Sequence, residues 1–237
     1  MKQIKEIDYT KVFVVIPAFN EEQSIGKVIN DIPHVPKQNI IVVNNGSTDN
    51  TQKVVESLGA TALFESRKGY GWACLKGCAH VEEMKGETIV FLDGDYSDYP
   101  EQLPQVIAPI YQNNMDLVIG SRALGNREKG SMTVPQHFGN WLASKLLKIF
   151  YKVNYTDLGP FRAIRFERYK SLGMSDKTYG WTIEMQIKAA QKKMNYCEVP
   201  VDYKARIGQS KVSGTIKGAV MAGIKIIFAV FKYKFTE

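Results

Sequence analysis

Two carboxylates separated by one glycine, Asp93-Gly94-Asp95, end the apolar run Thr88-Ile89-Val90-Phe91-Leu92. Residues two apart in extended chain point to the same side, so Asp93 and Asp95 can face one ligand. Paired hard oxygen donors suit Mg2+ or Mn2+, ions that take one or two carboxylates and fill their shell with phosphate and water. Gly94 lets a ligand approach the backbone closely. The competing reading is an ordinary strand-end turn, because Asp and Gly terminate many strands. Arg122, Arg162 and Arg206 add guanidinium forks, which bind phosphate oxygens in pairs. Each alone could be a surface arginine. With the aspartate pair they point to a substrate that carries a diphosphate.

Other chemistries lack their signatures. No Gly-x-x-x-x-Gly-Lys-Ser/Thr loop or Gly-x-Ser-x-Gly elbow occurs. Gly69-Tyr70-Gly71 lacks the third glycine and acidic partner of a dinucleotide fingerprint, and it does not follow the first strand. His34, His80 and His137 are scattered, which argues against a histidine-based zinc site. Cys74, Cys78 and Cys197 are an odd number, which speaks for a reducing, cytoplasmic setting rather than a disulfide framework.

The elements that must hold these residues alternate. Strands are expected at Val12 to Ile16, Ile40 to Val43, Thr61 to Phe64, Thr88 to Leu92 and Leu117 to Ile119. Helices are expected up to Asp31, up to Leu58, over 72–83 and from Pro100 to Tyr111. That alternation predicts an α/β fold with a mostly parallel sheet, helices on both faces and ligands at the carboxyl ends of the strands. Polar clusters fall at those ends: Pro17-Ala18-Phe19-Asn20-Glu21-Glu22, Asn44-Asn45-Gly46-Ser47-Thr48-Asp49 and Gly120-Ser121-Arg122. Ala123 to Pro135 reads as a mobile loop. Helices over 136–152, from Glu167 and from Thr182 to Lys193 follow, with a late strand at Cys197 to Val201.

With 237 residues, 44% hydrophobic and 23% charged, the chain can bury a large core and is not disordered. The net charge of +7 favours anionic partners. Nucleic acid is set aside, because the aromatics form no stacking stripe. Residues 1–215 read as the catalytic domain and 216–237 as a basic amphipathic C-terminal helix. In that helix Val220, Met221, Ile224, Ile227, Phe228 and Phe231 share a face bordered by Lys217, Lys225 and Lys232. The apolar run is shorter than the ~20 residues a bilayer span needs. Peripheral membrane contact through 216–235 and docking on the chain's own domain or on a second subunit, as in a homo-oligomer, both remain open.

The ordered motifs at 15–22, 43–49, 93–95, 120–122 and Asp157-Leu158-Gly159-Pro160-Phe161-Arg162 resemble glycosyltransferase family 2, the inverting enzymes of GT-A fold. Within it the chain is most similar to dolichyl- or polyprenyl-phosphate sugar synthases, and Arg206-Ile-Gly-Gln-Ser-Lys211 resembles their late basic motif. The resemblance implies a nucleotide-sugar donor of the UDP-glucose or GDP-mannose class, Mg2+ or Mn2+, and a lipid-phosphate acceptor at the cytoplasmic membrane face. It would put Pro17, Phe19, Glu21, Asn44, Gly69, Gly71, Asp93 and Gly94 around the nucleotide sugar, with Asp93 and Asp95 on the metal. Arg122, Arg162, Arg206 and Lys211 would surround the phosphates, and Asp157 would sit at the reacting centre. Alternatives are a soluble or glycan hydroxyl acceptor and, less favoured, a non-catalytic nucleotide-sugar-binding protein.

Two departures stand out. The family usually has Asp-Asp where this chain has Asn44-Asn45, and an amide both donates and accepts whereas a carboxylate only accepts. Many synthases carry Gln where Ser97 stands, so Ser97 or Asp98 could supply that metal contact. A phosphate monoester is largely dianionic at neutral pH and already nucleophilic, which makes Asp157 a positioning group. A hydroxyl acceptor would instead need a base, Asp157 or Glu184.

Overall fold

The computed structural model of the chain describes residues 6–208 and 216–235. Lys211 lies outside the described residues. Short β-branched and aromatic runs form β1 (Val12–Ala18), β2 (Ile40–Asn44), β3 (Thr61–Phe64), β4 (Thr88–Phe91) and β5 (Leu117–Ser121). Between them lie α1 (Ile25–Asp31), α2 (Thr51–Ser57), α3 (Tyr70–Glu83) and α4 (Leu103–Gln112). The chain continues through α5 (Val134–Tyr151), β6 (Arg162–Arg165), α6 (Phe166–Leu172), α7 (Trp181–Gln191), β7 (Tyr196–Pro200) and α8 (Ile216–Phe235).

Among the described residues the strands form one sheet in the order β3-β2-β1-β4-β6-β5-β7. β6 runs antiparallel to both β4 and β5, and every other pair is parallel. Strand side chains alternate between faces, so a two-residue period fills two cores. Val12, Val14 and Ile16 pack with Ile40, Val42, Val90 and Leu92 beneath α1, α2 and α4. Phe13 and Val15 pack with Ile41, Val43, Ile89 and Phe91 beneath α3 and α5 to α8. Both faces are covered, as expected for a mostly parallel sheet.

β6 was not expected. Its four residues, Arg-Ala-Ile-Arg, carry charge at both ends and give no strand signal, yet Ala163 and Ile164 are fully buried, one on each face. The stretch expected to be a mobile loop is instead pinned. Asn126 donates its backbone N–H to Asp202 Oδ1 (2.8 Å), Glu128 donates to the Tyr203 carbonyl (2.9 Å), and Glu128 Oε2 accepts from Ala205 (3.0 Å). Reciprocal Thr133 and Gln136 bonds then start α5 two residues earlier than expected.

α8 docks through Ala229 and Val230, both buried, against α5 and α7. The Tyr151 hydroxyl donates to the Val230 carbonyl and Gln191 Nε2 to the Tyr233 carbonyl, each at 2.7 Å. The expected apolar face points the other way: its described members Ile224, Ile227, Phe228 and Phe231 are exposed.

Candidate active site

The carboxyl ends of β1, β2 and β3 are laced together by side chains. Asn20 donates its N–H to Ser47 Oγ (2.9 Å) and accepts the Thr48 N–H on Oδ1 (2.8 Å). The Glu21 N–H reaches Thr51 Oγ1 at 2.8 Å. Asn44 accepts the Ser47 N–H (2.8 Å) and donates to Gln52 Oε1 (3.1 Å). Asn45 donates to the carbonyls of Glu65 (3.0 Å) and Arg67 (2.8 Å) while accepting the Gly69 N–H (2.7 Å). An aspartate at 45 would press oxygen against two carbonyl oxygens, so here the amide is dictated by the fold of the 65–69 loop. Pro17 pairs beside Val43 past the end of β4, where its missing N–H costs nothing. Half-buried Phe19 lies under Lys68 Nζ, 5.9 Å from the ring centre.

The metal-type pair sits where β4 ends. Asp93 Oδ1 accepts from the Tyr70 hydroxyl (3.1 Å). Asp95 Oδ1 accepts from both the N–H and the hydroxyl of Ser97, at 3.0 and 2.5 Å. Arg206 then bridges two loops, with Nη1 3.0 Å from Asp95 Oδ2 and Nη2 3.1 Å from Glu21 Oε1. Burial first, and the neighbouring Asp95 second, push the Asp93 carboxyl well above the ordinary carboxylate range. Asp98 is 1% exposed, and neither carboxyl oxygen has a hydrogen-bond partner. Burial and Asp93 raise its pKa well above the usual value. A divalent cation fits this donor chemistry: hard oxygens, excess negative charge and orphaned carboxylate atoms. Among the described residues no three His, Cys, Asp or Glu side chains converge as a closed cage. The ion would therefore be held by Asp93 and Asp95, with diphosphate and water completing its shell. Gly94 has only ordinary contacts around its missing Cβ, 3.5 Å from Ile16 and Ile25.

A second cluster centres on Asp157, 1% exposed. Arg122 grips it with three bonds of 2.8 Å, from its N–H and Nε to Oδ2 and from Nη2 to Oδ1. Burial alone would raise the Asp157 carboxyl, but the Arg122 guanidinium and these bonds hold it below the usual range. The backbone is fixed from all sides. Glu198 on β7 accepts the Asp157 N–H (3.2 Å), Gln186 on α7 donates to its carbonyl (2.9 Å), and Asn140 on α5 bonds Thr156 O and the Leu158 N–H. Tyr203 joins the two clusters. Its ring lies 4.9 Å from the Arg122 guanidinium carbon, while its neighbour Lys204 donates to the Ser97 carbonyl and Ile207 to the Asp95 carbonyl.

Arg162 and Glu184 are both engaged inside the fold. Arg162 is wholly buried and donates to the carbonyls of Leu158, Gly159 and Thr182, clamping the loop that carries Asp157 rather than facing a phosphate. Burial lowers its pKa to about 10. Glu184, a base candidate, is also buried. Its oxygens accept from Ser175, Asp176, Lys188 and Tyr233, so it organises the 175–176 turn; burial alone would raise its pKa, but these bonds hold it below the usual range, which weakens it as a base.

Gly69 and Gly71 are needed by the chain itself. Gly69 has a φ of 146°, and a methyl there would meet the Lys177 carbonyl oxygen at 2.2 Å. At Gly71 the Asp176 carbonyl oxygen would be 2.1 Å away. Gly71→Ala is expected to destabilise the fold by about 1–3 kcal/mol through overpacking. The urea midpoint should fall with an unchanged slope, and an unchanged midpoint would show that the 176–177 segment yields freely.

Sequence reasoning missed Asn140, Gln186, Glu198 and Tyr203, which act by holding other residues and carry no motif. A hollow of about 450 Å³ at the opposite end of β5 and β7, lined by Asp116, Arg168 and Lys192, touches none of these groups. The site is the open crevice over the strand ends.

The glycosyl transferase family 2 profile matches residues 13–173. An uncharacterized glycosyltransferase of Mycobacterium tuberculosis is 32% identical over 214 residues, covering 89% of this chain and 94% of its own. Undecaprenyl-phosphate mannosyltransferase of Micrococcus luteus is 27% identical over 226 residues, with 90% and 92% covered. The crystal structure of glucosyl-3-phosphoglycerate synthase from Mycobacterium tuberculosis with Mn2+, UDP and glucosyl-3-phosphoglycerate superposes with a TM-score of 0.72 at 21% identity. It covers 94% of this chain and 79% of that one, a likeness of fold.

Proposed function

The chain belongs to glycosyl transferase family 2, and on that premise we propose that it moves a hexose from a nucleoside-diphosphate sugar to a polyprenyl phosphate, with inversion. The fold is GT-A and the activity class is nucleotide-sugar transfer. The acceptor is the inference, and one observation carries it: the two carboxylates that the sequence offers as a base, Asp157 and Glu184, are already engaged. Asp157 is held ionised, with a depressed pKa, by three bonds from Arg122, and Glu184 likewise by donors from four residues. A group that binds protons weakly is a poor general base. A phosphate monoester brings its own nucleophilic anion and needs none.

In the reaction an acceptor phosphate oxygen attacks the anomeric carbon. The bond from that carbon to the diphosphate oxygen breaks, and its electron pair leaves with the nucleoside diphosphate. Asp93 and Asp95 would hold Mg2+ or Mn2+, which supplies Lewis-acid stabilisation of the leaving diphosphate. Arg206, drawn to Glu21 and Asp95, adds positive charge beside the same leaving group. Asp157 and Arg122 orient the acceptor side, with the 201–207 segment laid across 95–98 to limit water. Peripheral contact through α8 at the cytoplasmic membrane face accompanies a lipid acceptor.

A second reading, a hydroxyl acceptor, is favoured by Asp98, the buried carboxyl without a partner. One experiment separates the two. Purified protein with Mn2+ is offered UDP- and GDP-hexoses with a short polyprenyl phosphate, with soluble hydroxyl acceptors, or with neither, and nucleoside diphosphate release is measured. Release stimulated by the lipid phosphate alone is the expected result. Stimulation by a hydroxyl acceptor alone would replace the proposal with the second reading.

A further inference from the structure

The outer faces of α5 and α8 are apolar and uncovered. On α5, Phe138 and Trp141 are 60% and 55% exposed with ring centres 5.8 Å apart, and Ile149 is 67% exposed. On α8, Ile224, Phe228 and Phe231 are 54%, 64% and 40% exposed. The two rows adjoin, because Phe150, next to Ile149, meets Phe231 edge-to-face at 5.2 Å. Contiguous large apolar side chains on a folded surface mark an interaction site.

Charge selects the partner. Residues 134–151 and 216–235 contain six lysines and not one aspartate or glutamate, in a chain with 24 acidic residues; of the six, Lys225 is paired with Asp176 of the 175–176 turn at 3.7 Å. Lys145, Lys148, Lys232 and Lys234 are exposed on these helices. A second copy docking through the same face would set lysine against lysine. Aromatic anchors bordered by lysines, with no acid among them, instead match the headgroup region of an anionic bilayer, where rings sink to the acyl boundary and ammonium groups stay with lipid phosphates. Among the described residues no helix is long and apolar enough to cross a membrane.

We propose that α5 and α8 form one docking face for an anionic lipid bilayer, with Phe138 and Trp141 as the inserted anchors. The proposal deepens the lipid-acceptor reading and rests on it for its purpose. It also ties docking to chemistry. Asn140, between the two anchors in sequence, bonds the residues on either side of Asp157. Seating α5 on a bilayer thereby sets the reacting centre at a fixed distance from the lipid headgroups.

The test uses the full chain with vesicles of phosphatidylcholine alone or mixed in equal parts with phosphatidylglycerol. Co-sedimentation and tryptophan emission are read. Trp181 is buried and Trp72 lies against Arg67 and Lys177, so a blue shift on binding should come from Trp141 and vanish in Trp141→Phe. Binding is expected on the anionic vesicles. Phe138→Ser with Trp141→Ser should weaken it at least about tenfold, and Lys145→Glu with Lys148→Glu about tenfold. No binding to anionic vesicles, undiminished binding by both double variants, or a solution dimer that the serine variant abolishes would each overturn the proposal. Nucleoside diphosphate release by the unaltered protein with short-chain polyprenyl phosphate and no vesicles is read in parallel. It reports on the acceptor reading alone, so the two can fail separately.

Discussion

Asp95→Asn is expected to lower hexose transfer by on the order of 10³-fold while leaving the fold intact. An asparagine keeps an oxygen where Asp95 Oδ1 accepts from Ser97, so the tight turn after β4 survives. What disappears is charge. The carboxylate that draws Arg206 to 3.0 Å is lost, and with it one of the two hard donors proposed to hold the divalent cation. Stabilising charge on a leaving diphosphate contributes several kcal/mol, which sets the size of the effect. Nucleoside diphosphate release should fall at every Mn2+ concentration, with the melting temperature unchanged. Activity within about threefold of the unaltered chain would remove Asp95 from the reaction, since such a change corresponds to well under 1 kcal/mol.

The second large effect is on stability. Arg122→Leu should cost about 3–5 kcal/mol, because it strands a buried carboxylate that the guanidinium neutralises. Its pH dependence has a definite sign. In the unaltered chain the Asp157 pKa is depressed, so its contribution is complete above the unfolded value near ~4 and fades as pH falls through the lower folded value. In the variant the backbone N–H at 122 and the charge of Arg162 still favour the anion, but the Arg122 guanidinium and its two bonds are gone, so burial raises the folded pKa above that of the unaltered chain. The penalty is then full at neutral pH and shrinks as the carboxyl protonates. Unfolding free energies at pH 7 and pH 4 should therefore converge between the two proteins. A gap that stays constant would mean the ion pair is not its source.

Much of this architecture can be read from the residues. The runs around Val14, Val42 and Val90 announce buried strands, and the polar clusters that end them fall at one edge of the sheet because parallel strands share a direction. Residues whose part is to hold another residue are not legible in the same way. Arg162 looks like a phosphate ligand by type, and only its neighbourhood of carbonyls shows it to be a clamp. Glu184 looks available until donors from four residues are found on it. The apolar stripe of α8 follows from its periodicity, but which side would dock does not. Ala229 and Val230 are small enough to lie close to α5, and the larger Phe228 and Phe231 are left outside. Asn45 departs from the family's aspartate, yet its cause lies in two carbonyls some twenty residues along the chain.

β6 has a consequence for how the protein is made. β4 and β5 are never hydrogen-bonded to each other; the four residues of β6 stand between them and bond to both. A ribosome delivers β1 to β5 in order, but β5 has no berth beside β4 until Arg165 has emerged some forty residues later. A nascent chain that had paired β1 to β4 before then would present β4 as a bare, apolar edge, the kind of edge that invites pairing with another chain. Arg162 and Arg165, which look out of place in a strand, bracket that wedge with charge as it inserts.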